Sequence, residues 1–201
     1  MMVFDYPDWC KTHYTHWENL VSKYLKPEEP LTMIEVGCFE GRSTMWFADR
    51  LLNHPSSRIY CIDTWKGGEE IDRVKLPYDI TKAMNNFFSN KNSHDRCNQM
   101  ITHIASSEFG LSSLLYTCYK RANFIYLDGS HTQRDTLVDL TLSMLLIRPG
   151  GVILIDDYNN SMSTKDKLLR PKDAVDFVVK SFDNEVEFFV TLEQQAVIIR
   201  K

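Results

Sequence analysis

Acidic residues stand at the ends of four short apolar runs in this 201-residue chain. They are Glu35 in Ile34-Glu35-Val36-Gly37, Asp63 after Ile59-Tyr60-Cys61-Ile62, Asp128 after Phe124-Ile125-Tyr126-Leu127, and Asp156-Asp157 after Val152-Ile153-Leu154-Ile155. If the runs are parallel strands of one sheet, these acids converge on the crevice outside the strands' carboxyl ends, where open α/β sheets bind ligands. Asp128, Asp156 and Asp157 are hard oxygen donors with no cysteine beside them, a set suited to Mg²⁺ or a similar divalent ion. The plainer alternative is that Asp128 and Asp156 cap the elements that follow them. His131, in the next turn after Asp128, has an ordinary pKa near neutrality and is a candidate general base beside Asp128 itself. A helix-capping His131 is the competing reading.

Gly37 and Gly41 bound a tight strand-to-helix turn that lets a ligand approach the backbone. Ser43 then caps the helix or offers its hydroxyl and amides to a carboxylate. The spacing is Gly-x-x-x-Gly, with Phe39 where a dinucleotide-binding turn needs its middle glycine, which argues against a nucleotide-dependent oxidoreductase. Asp63 follows Gly41 by 22 residues, at the end of the next run. A carboxylate there is placed to take ribose hydroxyls.

The elements that position these residues alternate between β-branched runs and helical stretches. Strands are expected over 31–36, 57–62, 100–105, 123–127 and 152–155, and helices over 43–53, 80–88, 112–121, 132–147 and 173–182. The turn Arg148-Pro149-Gly150-Gly151 stops the helix before the fifth strand. Two final strands, 186–192 and 195–200, have almost nothing between them and must be antiparallel. The sum is an α/β, Rossmann-like, doubly wound seven-stranded sheet, mostly parallel, with an antiparallel C-terminal hairpin. One domain spans 1–201, with an N-terminal helical cap over 1–29 and a lid-like loop over 66–78.

Composition narrows the classes. Forty-three per cent of residues are apolar, and 27 acids against 23 bases give a net charge of −4. That balance removes the usual electrostatic reason to propose nucleic acid as the partner and leaves a homo-oligomer open. Five scattered cysteines have neither metal-site nor disulfide spacing, and no run reaches membrane-spanning length, so a cytoplasmic protein with reduced thiols is expected. The basic residues Lys165, Lys167, Arg170 and Lys172 form either a solvated face or an attraction for an anionic acceptor.

The stretches Ile34-Glu35-Val36-Gly37-Cys38-Phe39-Glu40-Gly41, Ile62-Asp63-Thr64-Trp65 and Arg148-Pro149-Gly150-Gly151 resemble those of class I S-adenosylmethionine-dependent methyltransferases. Leu127-Asp128-Gly129-Ser130-His131 with Asp156-Asp157-Tyr158 resembles a narrower group, the metal-dependent O-methyltransferases of sugars and other small hydroxylated molecules. The resemblance implies that Glu35 and Gly37 hold the methionine end of S-adenosylmethionine. It places the ribose on Asp63, and the adenine near Trp65, Ser106 and Ser107. It also implies a cation on Asp128, Asp156 and Asp157 that activates an acceptor hydroxyl, whose own pKa is far above neutrality. The absence of an Asn-Pro-Pro-Tyr type motif after the fourth strand argues against methylation of exocyclic base nitrogens. A catalytically inactive binding protein that keeps the cofactor crevice is the alternative.

Overall fold

The computed structural model describes residues 2–67, 78–159, 171–191 and 194–201. Most of the expected lid loop, and Lys165, Lys167 and Arg170, lie outside them. Seven strands form one sheet in the order β3-β2-β1-β4-β5-β7-β6. Their ranges are β1 Thr32–Val36, β2 Arg58–Asp63, β3 Met100–Ile104, β4 Ala122–Leu127, β5 Ile147–Ile155, β6 Val186–Val190 and β7 Ala196–Arg200. The first five pair in parallel, and β7 inserts antiparallel between β5 and β6. Strand order reverses between β1 and β4, so the ligand crevice of this topology opens there.

Six helices flank the sheet among the described residues: α1 Tyr14–Tyr24, α2 Arg42–Leu51, α3 Ile80–Ser93, α4 Ser107–Cys118, α5 Gln133–Leu146 and α6 Pro171–Ser181. Alternation along the strands divides the core in two. Met33, Phe124, Tyr126, Val152 and Leu154 face α1, α2 and α3, and Ile34, Val36, Ile125, Leu127, Ile153 and Ile155 face α4, α5 and α6. Both faces are covered, as the continuous apolar runs require. No described helix is long and apolar enough to cross a membrane.

Three elements differ from the sequence expectation, each for a local reason. The helix expected from residue 112 starts at Ser107, because the Ser106 hydroxyl caps it by accepting from the Phe109 amide. Gly110 inside that helix is a packing requirement: a Cβ there would lie 2.5 Å from Ile62 Cγ2. The helix expected to end at Phe88 runs on to Ser93. Its asparagines are buried because Asn90 accepts from the Val3 amide and donates to the Val3 carbonyl, while Asn86 donates to Asp5. The fifth strand begins at Ile147, not Val152, since the Arg148-Pro149-Gly150-Gly151 segment is a bulge against β4 with Gly150 at φ +75°.

The N-terminal cap is a short 3-10 turn, Trp9–Thr12, followed by α1. Trp17 of α1 is fully buried, stacks on Phe47 at 4.7 Å and donates from Nε1 to Gln195 Oε1, 178 residues away. It joins the start of the chain to the final hairpin. Trp17→Ala should cost about 3–5 kcal/mol, from lost burial and a stranded Gln195. Urea unfolding checks this, and a cost below about 1 kcal/mol would show that the cap is not part of the cooperative fold.

Candidate active site at the carboxyl edge of the sheet

The strand ends are tied together by a ladder of backbone hydrogen bonds. The Gly37 amide donates to Ile62 O (2.9 Å), the Asp128 amide to Val36 O (2.8 Å) and the Asp156 amide to Leu127 O (2.9 Å). Each acidic strand end is therefore fixed against its neighbour. Gly37, at φ +84°, lies so close to β4 that a Cβ would fall 1.8 Å from the Asp128 carbonyl oxygen. Gly41, at φ +85°, would bring a Cβ to 2.9 Å from Phe87 Cδ2. At both positions the space a side chain would need is filled by the protein itself.

Asp63 clamps the turn between β1 and α2. Its Oδ2 accepts from the amides of Cys38 (2.8 Å) and Phe39 (2.9 Å), and its Oδ1 from the amide of Trp65 (2.7 Å). Three of roughly four acceptor positions are thus committed to the backbone. Trp65 is buried against Phe87 and Phe88 and donates from Nε1 to the Phe39 carbonyl (2.8 Å). Its indole pins the turn from below.

Glu35 is fully buried, and its two oxygens accept from Ser43 Oγ and Thr44 Oγ1, each at 2.6 Å. Ser43 thus neither caps α2 nor stands free for a ligand. Burial pushes the Glu35 carboxyl up to about 7, although both hydroxyls favour its charged form. Ser106 is engaged as the α4 cap, and Asp139, a buried acid on α5, is pushed up to about 7 by desolvation.

The acids of β4 and β5 meet His131 and Tyr126. The Tyr126 hydroxyl donates to Asp156 Oδ2 (2.6 Å) and to Asp128 Oδ2 (3.2 Å). Asp156 Oδ1 accepts from the Asp157 amide (2.9 Å), and Asp157 takes a left-handed φ of +52°, a conformation aspartate tolerates. His131 Nε2 then lies 3.1 Å from Asp157 Oδ2 and 3.7 Å from Asp128 Oδ1. Donor atoms of Asp128, His131 and Asp157 all fall within 4.8 Å of one another. This compact group holds His131 where the sequence reading had placed Asp156. Burial and the neighbouring Asp156 push Asp128 up to about 7, against the pull of His131.

Glu40, Thr44 and Tyr126 play parts that the sequence reading did not assign. Glu40 is buried and accepts from the amides of Asp5 (2.9 Å) and Tyr6 (3.3 Å), fastening the N-terminal segment to the turn. Tyr6, Trp9 and Tyr78 pack their rings around Phe39. The Cys10 thiol is raised by burial and, less, by the charges of Asp128, Asp8, Glu35 and Asp156. Lys172, the described member of the basic cluster, is paired with Asp176 and the Tyr158 hydroxyl, each at 2.6 Å.

A family model described as "Methyltransferase domain" matches residues 34–158, from the end of β1 past the end of β5. None of the curated protein sequences compared with the chain matches it. Several solved structures share the fold. An O-methyltransferase from Bacillus cereus, in complex with S-adenosylhomocysteine, is 16% identical with a TM-score of 0.68, covering 96% of this chain and 83% of its own. TomG from Streptomyces achromogenes, an O-methyltransferase of tomaymycin synthesis in complex with S-adenosylmethionine, is 14% identical with a TM-score of 0.65, covering 98% and 82%. CalS11, a TDP-rhamnose 3′-O-methyltransferase of calicheamicin biosynthesis, is 16% identical with a TM-score of 0.64, covering 94% and 79%.

The raised carboxyls have a consequence for stability. Glu35 and Asp139 bind protons more tightly folded than unfolded, so their contribution to stability is full below their ordinary values of 4.5 and 3.8 and is lost as pH rises through about 7. Glu35→Gln should flatten part of that slope, measured by urea unfolding between pH 4.5 and 7.5. An unchanged slope would mean that Glu35 is ionised within the fold throughout.

Proposed function

The chain belongs to the methyltransferase domain family, and we propose that it transfers the methyl group of S-adenosylmethionine to a hydroxyl of a small acceptor, assisted by a divalent cation. The observation that carries this reading is the meeting of the Asp63-clamped turn with the Asp128–His131–Asp157 group at the switch point of the sheet. The Bacillus cereus and TomG structures hold S-adenosylhomocysteine and S-adenosylmethionine on the same fold, which supports the choice of cofactor. CalS11 and TomG act in the making of small molecules, which supports the acceptor class.

In this reading Asp63 offers its remaining lone pair to the ribose, with the turn amides already held in place. Glu35, Gly37 and Gly41 shape the methionine end, and Ser43 acts through Glu35. Trp65 holds the wall of the turn, and Ser106 and Ser107 border the adenine end. The free state of all five cysteines supports a reducing, cytoplasmic setting.

The donor set fits a divalent ion. The carboxylates of Asp128 and Asp157 converge with the His131 imidazole beside them as a proton acceptor, and a cation between the two acids would relieve their mutual repulsion. Asp128 and Asp157 would hold the ion, while Asp156, which accepts from the Tyr126 hydroxyl on Oδ2 and from the Asp157 amide on Oδ1, orients them. The ion, when bound, lowers the pKa of an acceptor hydroxyl and fixes its oxygen. His131 would take the acceptor's proton as its oxygen bonds to the methyl carbon, the electron pair of the broken C–S bond staying with sulfur. Alignment by the two sides of the crevice can supply up to roughly 7–11 kcal/mol of the barrier.

Asp157→Asn should weaken Mg²⁺ binding at least about tenfold in calorimetric titrations, with S-adenosylhomocysteine affinity within about twofold of wild type. His131→Gln should keep Mg²⁺ binding and lose about 10²–10⁴ in methyl transfer to whichever sugar-like or other small hydroxylated acceptor the wild type accepts. Unchanged Mg²⁺ affinity in Asp157→Asn would remove the ion from this site.

A further inference from the structure

Tyr126 is an oddity of the core. It sits on β4 two residues before Asp128, fully buried on the face covered by α1 and α2, with its ring 5.3 Å from Trp17 and 5.5 Å from Phe47. A phenylalanine would fill the same space with no polar atom to satisfy. The packed ring cannot swing, so its hydroxyl emerges at one fixed point of the carboxyl edge, between the side chains of Asp128 and Asp156.

The contacts there are selective by oxygen atom. The hydroxyl takes Oδ2 of Asp156 at 2.6 Å and Oδ2 of Asp128 at 3.2 Å. Asp128 Oδ1 is thereby left facing His131. Asp156 is left with Oδ1 alone for the Asp157 amide. That bond holds the Asp157 peptide at φ +52° and turns its carboxylate toward His131, 3.1 Å away. One hydroxyl thus reaches both carboxylates of the Asp128–Asp157 pair, one directly and one through Asp156 and a backbone amide.

We propose that Tyr126 is a positioning residue for divalent-cation binding, selecting which oxygen of Asp128 faces the cation and, through Asp156, holding Asp157 in its left-handed conformation. The inference rests on the proposed cation site and deepens it. It assigns Asp156 to orientation and extends the support of the site through Tyr126 to Trp17 of the N-terminal helix. Partners that orient ligating carboxylates typically govern metal affinity by about 10–100-fold.

The test is a Mn²⁺ titration of the full chain, followed by the loss of the free-ion electron paramagnetic resonance signal, on wild type, Tyr126→Phe and Asp156→Asn. Tyr126→Phe keeps the ring and its stacking, so the fold is retained, and thermal melting of the apo-protein verifies it. The expected result is Mn²⁺ affinity reduced at least about tenfold in both variants, with an altered bound-ion spectrum and S-adenosylhomocysteine affinity within about twofold of wild type. A purely structural tyrosine would lower melting temperature without moving Mn²⁺ affinity or the spectrum. Wild-type affinity in Tyr126→Phe would overturn the role of Tyr126 alone. Absence of Mn²⁺ binding in the wild type would overturn the cation site itself, and this inference with it.

Discussion

A Cβ at residue 37 would sit 1.8 Å from the Asp128 carbonyl oxygen, so the ends of β1 and β4 meet as they do only because that position is glycine. The contact lies where strand order reverses, and the rest of the site is referenced to it. Through the Asp128 amide on Val36 and the Asp156 amide on Leu127, the position of β1 sets that of β4, and β4 sets β5. On the other side Asp63 grips two amides of the same turn. A shift of one ångström at Gly37 would separate the carboxylate clamp from the Asp128–His131–Asp157 group, and the chemistry of methyl transfer depends on that separation.

The N-terminal segment is part of this arrangement. Glu40 is buried inside the turn, and it is satisfied by backbone amides of residues 5 and 6 as well as by Arg42, which also donates to the Tyr6 carbonyl. A buried carboxylate left without these donors would be costly, so the turn and the N-terminal segment hold one another. Helix α1 then braces Tyr126 through Trp17. The N-terminal segment thus holds both the turn after β1, through Glu40, and the β4 strand that carries Asp128, through Trp17.

The sheet was legible in the sequence because buried parallel strands are continuous apolar runs, and their terminal acids stand out at Asp63, Asp128 and Asp156-Asp157. The short final connection dictated the antiparallel β6–β7 pair. Less legible was anything decided by contacts distant in sequence. Asn86 and Asn90 look like the end of an amphipathic helix until residues 3–5 are laid across them. Gly110 looks like a helix breaker until Ile62 is seen against it. The glycines of the first turn could be recognised, but not their reason, since the space they spare is filled by Asp128 and Phe87. At the acidic cluster the strand-end residue types identify Asp128, Asp156 and Asp157 as neighbours. The bond of the Tyr126 hydroxyl to Asp156 and the left-handed φ of Asp157 leave no mark in the pattern of residues.

A cofactor site at the clamped turn of the β1–β4 switch point is tested by calorimetric titration of S-adenosylhomocysteine into the wild-type chain and into Asp63→Ala. Saturable binding to wild type with one site per chain, weakened at least about tenfold when the Asp63 carboxylate and its hold on the turn are removed, is the predicted result. No saturable binding to a folded wild-type protein, or equal affinity in Asp63→Ala, would contradict it.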